Sequence, residues 1–163
     1  MLYGEVIPPV GGDTCFASLE HLYKLLTPRL RAILSEQTGV HSGKGVFSIN
    51  AQHKGLTRPG ASAVDEIETE HPVICVHPAT GKKYVFVSSV LNRFKGMSEA
   101  ESRPLLEYLL EHGHRPEFTC RFRWEQGSVA FWDNRSVKHL AVHDAGPHRR
   151  LMRRVQIAGD RPV

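Results

Sequence analysis

Residues 127–157, GSVAFWDNRSVKHLAVHDAGPHRRLMRRVQI, constrain the fold more than any other stretch of the chain. They read as a short strand, a turn, a histidine in a polar setting, a broken segment and a second strand studded with arginines. Val129 and Phe131 alternate with Ala130 and Trp132, and Asp133-Asn134 is turn chemistry. His139 follows. The run His143-Asp144-Ala145-Gly146-Pro147 interrupts the pattern again. From Arg150 onward the period is two. Arg150, Met152, Arg154 and Gln156 then share one face of a strand, and Leu151, Arg153, Val155 and Ile157 share the other.

Two arginines four positions apart on one strand face sit roughly 13 Å from each other. If that face looks into a barrel, the two guanidiniums can receive two anionic groups at different depths. Arginine suits the task because its planar fork grips a carboxylate or sulfonate through paired hydrogen bonds. The same spacing also fits a solvated basic edge strand with all four arginines outside.

The rest of the chain supplies a scaffold of strands and a few helices. With 163 residues there is enough chain for one domain with a real core. A net charge of +4 with ten histidines suits small anionic ligands. No basic run is interleaved with aromatics, so the charge does not call for nucleic acid. Cys15, Cys75 and Cys120 are far apart and form no CxxC, which predicts buried free thiols in a reducing cytoplasm. No apolar run approaches membrane-spanning length, and the first ten residues lack the form of a signal peptide.

Residues 4–7 read as extended, followed by Pro8-Pro9 and the turn Gly11-Gly12-Asp13-Thr14. Thr14 there is either a turn or capping residue or a hydroxyl aimed at an anion. Ser18 caps a helix to Leu26, and Thr27-Pro28 starts another that ends near Gly39. Residues 41–63 are loop-like, with Phe47 as a candidate wall of a binding site. Residues 72–77 and 83–88 form a hairpin over Pro78-Ala79-Thr80-Gly81. Ser98 and Glu101 form a capping box for a helix whose buried stripe is Leu105, Leu106, Leu109 and Leu110. Residues 118–124 alternate as a half-buried strand, with Phe118, Cys120, Phe122 and Trp124 inward.

The segments WDNRSVKH and HDAGPHRRLMRRVQIAGDRP resemble the C-terminal signature of the taurine dioxygenase family (the taurine- and 2,4-dichlorophenoxyacetate-dioxygenase-like group). Its members are iron(II)- and 2-oxoglutarate-dependent oxygenases. GGDT at 11–14, residues 71–82, GMSE at 96–99 and RPEF at 115–118 are similar and occur in the family's order. The resemblance implies a mainly β fold with flanking helices, a double-stranded β-helix or jelly roll, as one partial domain over residues 1–163. It implies iron(II) and 2-oxoglutarate as cofactors and a small anionic organic substrate, taurine- or sulfonate-like. By resemblance His139 is the distal iron ligand. Arg150 receives the far carboxylate of 2-oxoglutarate with help from Thr14, and Arg154 receives the anionic group of the substrate. Residues 41–63 would lie over the active site. His143 and His148 read as surface residues or neighbours of the site, and Trp132 as core.

One feature departs from the family. Its other two iron ligands form an H-x-D/E motif ahead of the GGDT segment, and none of the ten histidines here has Asp or Glu two positions on. The expectation is a chain incomplete at its N-terminus and inactive alone. The alternative is a non-catalytic remnant or subunit that binds anions or 2-oxoglutarate without metal. A barrel short of strands also exposes edge backbone groups, which predicts a homo-oligomer or edge-paired dimer. No nucleic-acid or membrane partner is expected, and the location expected is cytoplasmic.

Overall fold

The computed structural model describes residues 1–42, 68–159 and 162. The predicted Phe47 and most of the loop at 41–63 lie outside the described residues. Within them the chain is mainly β, as expected. In order it forms β1 (Leu2–Val6), β2 (Thr14–Ser18), α1 (Leu19–Leu25), α2 (Pro28–Ser35), β3 (Thr38–Ser42), β4 (Glu68–Pro72) and β5 (Ile74–Val76). There follow β6 (Lys83–Val85), β7 (Leu91–Phe94), α3 (Glu99–Gly113), β8 (Thr119–Phe122), β9 (Val129–Ala130), β10 (Val137–Ala141) and β11 (Leu151–Arg154).

Every strand pairing among the described residues is antiparallel. The strand orders are β11-β1-β9, β10-β2-β8 and β4-β3-β7, with β5-β6 as a separate hairpin. In the first two sheets a strand from the start of the chain lies between strands from its end. The N-terminal turn and the arginine segment are therefore neighbours in space although far apart in sequence.

The core lies on the helical side. Leu22, Leu26 and Leu34 from the two short helices meet Val73, Tyr84, Leu91 and Phe94 from the strands and Leu106 and Leu109 from α3. Fully burying one leucine contributes about 1.5–3 kcal/mol, so this cluster dominates the stability of the scaffold. The helix ends follow their sequence signals. Ser18 accepts from the His21 amide, Thr27 from the Leu30 amide, and Ser98 with Glu101 closes the capping box. Ser102 ties α3 to β7, because its hydroxyl accepts from the Phe94 amide at 3.0 Å and donates to the Ser98 carbonyl at 2.9 Å.

Several boundaries differ from the sequence reading. The second helix stops at Ser35, and the chain enters β3 at Thr38, so His41 and Ser42 are strand rather than loop. The strand expected over 72–77 is split. Pro72 ends β4 and has no amide proton, while Val73 takes Gln37 and Phe86 as partners before β5 begins. Phe118 belongs to a 3-10 turn at Pro116–Phe118, which shortens the expected 118–124 strand to β8. Phe118 and Trp124 are buried as expected, but Cys120 is exposed. The expectation of buried thiols holds for Cys75 alone. Cys15 is half-buried, and all three cysteines are free. The arginine strand begins at Leu151, so Arg150 sits just before it. No helix among the described residues is long and apolar enough to cross a membrane.

Candidate anion-binding and metal-ligating site

The site is built around the turn that precedes β2. Gly11 and Gly12 have φ of 71° and 73°, the left-handed region that side chains disfavour. Space forbids a side chain as well. A Cβ on Gly11 would lie 2.5 Å from the Asp144 carbonyl oxygen, and one on Gly12 would lie 3.0 Å from Cδ of Arg150. The paired glycines thus bring the backbone against the segment that leads into β11.

Arg150 uses that approach. Its Nε–H donates to the Gly12 carbonyl at 2.9 Å. Its Nη2 is buried and finds no hydrogen-bond partner among the described residues. Burial lowers the Arg150 pKa from its ordinary value, and the charge of Asp13 opposes that shift. A part-buried guanidinium whose buried Nη2 has no partner among the described residues is suited to an anion, because an unpaired buried donor is costly and a carboxylate removes the cost.

Thr14 is the first residue of β2 rather than a turn or cap residue, and it is 2% exposed. Its Oγ1 accepts from Nε1 of Trp124 at 2.9 Å. With a lone pair so engaged, the hydroxyl proton is free to donate. Strand register places Thr14 opposite Ala141 of β10 and Phe122 of β8. It also places Phe16 opposite His139 and Cys120. Directly paired residues share a sheet face. Thr14 and His139 therefore look to the same side of this sheet, along with Phe16 and Phe122.

His139 packs its ring 4.9 Å from that of Trp132 and 6.3 Å from that of Phe16. Burial lowers its pKa, and the positive charges of Arg154 and the N-terminus lower it further. His139 is itself exposed, and these effects favour its neutral imidazole, the form that ligates metals. Trp132, expected in the core, is half-buried and flanks this histidine. His143 and His148 are exposed.

The arginines sort by face. Arg153 Nη2 donates to Glu5 at 3.0 Å, and Arg149 also lowers the Glu5 pKa through its charge. Arg154 lies opposite Leu2 of β1 and is felt by His139. Arg153 is thus held by Glu5, and Arg154 lies on the other face of β11.

Four groups that support the turn escaped the sequence reading. Asp144 Oδ1 accepts from the Gly12 amide at 2.7 Å. Asp144 Oδ2 accepts from Arg121 Nη2 at 2.9 Å, and Asp13 Oδ2 accepts from Arg121 Nε at 2.6 Å. Trp124 is the fourth, through Thr14. The Gly12 amide, with help from Arg121, holds the Asp144 carboxyl below its usual range. An acid beside the Gly-Gly pair and an acid ahead of Gly-Pro were the only hints in sequence.

A separate cleft of about 440 Å³ is lined by Phe131, Trp132, Asp133, Arg135, Gln156 and Ile157, among others. Neither Arg150 nor Thr14 lines it. At its rim Asp133 binds Arg135 and accepts from His77 at 3.0 Å.

The residues present fit one implied group and not the other. Arg150 with its open Nη2, and the nearby turn, suit a dicarboxylate such as 2-oxoglutarate. Among the described residues no group of three His, Cys, Asp or Glu side chains can hold a metal ion, so they do not by themselves make an iron site. His139 stands there as one potential ligand.

The chain belongs to the family described as taurine catabolism dioxygenase TauD, TfdA, which it matches over residues 1–156. It is 39% identical over 164 residues to an alkylsulfatase of Acinetobacter baylyi, covering 98% of this chain and 52% of that protein. It is 38% identical over 167 residues to an alpha-ketoglutarate-dependent sulfate ester dioxygenase of Pseudomonas putida, covering 100% of this chain and 56% of that one. Among solved structures, a taurine dioxygenase from Burkholderia xenovorans superposes with a TM-score of 0.82 at 43% identity, over 99% of this chain and 52% of that one. The chain spans about half the length of the relatives it matches.

Proposed function

We propose that this chain carries the 2-oxoglutarate- and substrate-anion-binding portion of an iron(II)/2-oxoglutarate-dependent dioxygenase of the double-stranded β-helix type. The observation that carries the reading is the buried, unpartnered Nη2 of Arg150 beside the Gly12 turn. Arg150 takes the far carboxylate of 2-oxoglutarate, and the Thr14 hydroxyl donates to the same group. Arg154, at the end of β11, takes the anionic group of the substrate. Relatives named for sulfate esters and taurine support a small organic sulfate ester or sulfonate as that substrate. In a complete site, iron(II) supplies oxygen activation, and His139 would be one of its ligands.

The 163 residues hold no H-x-D/E pair. We therefore propose that the chain in isolation binds 2-oxoglutarate without turning it over, and that catalysis needs the other iron ligands from outside these residues. The test is succinate release from 2-oxoglutarate in air, with iron(II), ascorbate and a medium-chain alkyl sulfate. The expected result is release by a full-length sulfate ester dioxygenase used as control and none by this chain. Release by this chain, abolished by chelator, would overturn the proposal that its ligand set is incomplete.

A further inference from the structure

We infer that Arg121 is a positioning residue for the anion receptor: by occupying Asp13 and Asp144 together, it keeps Asp13 from neutralising Arg150 and leaves Arg150 Nη2 open for ligand. The inference rests on the proposed role of Arg150 and adds a residue that no sequence motif marked.

The charges around the turn force the question. Asp13 is buried, and its charge is felt by Arg150. It is also the residue next to Gly12, whose carbonyl holds Arg150 Nε. A buried carboxylate one residue from the partner of a part-buried guanidinium is a ready competitor for any carboxylate ligand. Yet Nη2 of Arg150 has no partner among the described residues. Asp13 gives Oδ2 to Arg121 Nε at 2.6 Å instead.

Arg121 reaches this point from β8. It lies opposite Cys15 of β2, and Cys15 lies opposite Leu140 of β10. These three share the sheet face opposite to that of Thr14 and His139. Arg121 therefore draws Asp13 toward the far side of the sheet from the histidine. Its second arm, Nη2, holds Asp144 at 2.9 Å, and Asp144 in turn holds the Gly12 amide at 2.7 Å. One guanidinium thus fixes both acids that flank the turn. A planar fork with donors on two edges can do this, and a point-charge ammonium cannot do it equally well.

The charge balance agrees. Asp13 and Asp144 carry two negative charges, which Arg121 and Arg150 offset. Without Arg121 the cluster is left with one net negative charge where a carboxylate has to enter. Asp13 would then be drawn to Arg150, the remaining cation of the four.

Calorimetric titration with 2-oxoglutarate tests the idea on the full chain and on Arg121→Gln, Asp13→Asn and the double variant. Arg121→Gln should weaken binding about tenfold, within the range of couplings between contacting charged residues. Adding Asp13→Asn to it should restore most of the loss. Unchanged affinity in Arg121→Gln, or no rescue by Asp13→Asn, overturns the inference. Should Arg121→Gln fail to fold, the comparison uses the double variant and Arg121→Lys. Arg121→Lys should then bind more weakly than the parent, and equal affinity counts against a need for the fork. The NMR signal of the Arg150 Nε–H separates this from the cosubstrate reading. If the parent binds no 2-oxoglutarate, that reading fails. The Nε–H signal should still shift in Arg121→Gln and return in the double variant. A signal that does not move overturns the positioning role in its own right.

Discussion

Arg150 donates its Nε–H to the carbonyl of Gly12 at 2.9 Å, across 138 positions of sequence. This bond joins the two ends of the chain where the anion receptor forms. It exists because β1 and β2 each lie between strands from the C-terminal third. The guanidinium is oriented at one edge and left open at the other, an arrangement suited to a carboxylate.

The glycine under that bond is the first point to test. Gly12→Ala should destabilise the fold, because an alanine at φ of 73° is strained and its Cβ meets Arg150 Cδ at 3.0 Å. Gly81→Ala is the matched control. Its φ is +67° and nothing lies within 4 Å of the added carbon. It should lose about 1–2 kcal/mol from backbone strain alone. Urea unfolding measures both. 2-Oxoglutarate affinity should fall in Gly12→Ala and hold in Gly81→Ala.

The Asp133 cluster predicts a dependence on acid. The Arg135 guanidinium, with hydrogen bonds from the Arg135 amide and His77, holds the Asp133 carboxyl well below its ordinary value of 3.8. A depressed acid contributes stability that is fully present above its unfolded pKa and is lost as pH falls through its folded one. Urea midpoints of the parent and Asp133→Asn should differ at pH 6 and converge below pH 3.8, toward the folded pKa. A constant gap between the two curves down to acid pH would show that the charge of Asp133 is not what stabilises the fold.

The core makes a simpler demand. Leu109 is fully buried in the cluster that α3 forms with the strands. Leu109→Ala should cost about 2–5 kcal/mol, as large-to-small changes in packed cores do. The fall in urea midpoint measures it.

Strand β10 is paired with β2 on one edge only among the described residues, and its Leu140 is 65% exposed. An open edge with an apolar side chain invites pairing with another copy. Light scattering should show concentration-dependent association of the purified chain, reduced by Leu140→Lys. A monomer at high concentration in the parent would count against edge pairing.

Much of the fold was legible because its signals are local. Ser98 with Glu101, Thr27 with Pro28, and the Gly81 turn each act within a few residues, and both helices and the hairpin form there, although the second helix stops at Ser35 and the hairpin strands are shorter than expected. Arg153 and Arg154 fall on opposite faces of β11, as a period of two requires, whereas Arg150 precedes the strand and its placement rests on the Gly12 turn instead. The breaks were not. Pro72 and Val73 split a strand because Val73 bonds to Gln37 and Phe86, and sequence does not show those partners. The support of the site was hidden likewise. Asp13, Arg121 and Asp144 lie 108 and 23 positions apart along the chain, and only strand pairing brings them together. The tie of Thr14 to Trp124 likewise depends on packing that no spacing displays.

The most direct test is calorimetric titration of 2-oxoglutarate into the purified chain without metal, beside Arg150→Ala. The prediction is that the parent binds and Arg150→Ala binds at least about tenfold more weakly, in keeping with the loss of hydrogen bonds to a charged group. Added anaerobic iron(II) should leave the parent's affinity unchanged. Binding that requires iron(II), or that survives Arg150→Ala, would contradict an arginine-centred receptor that works without a metal.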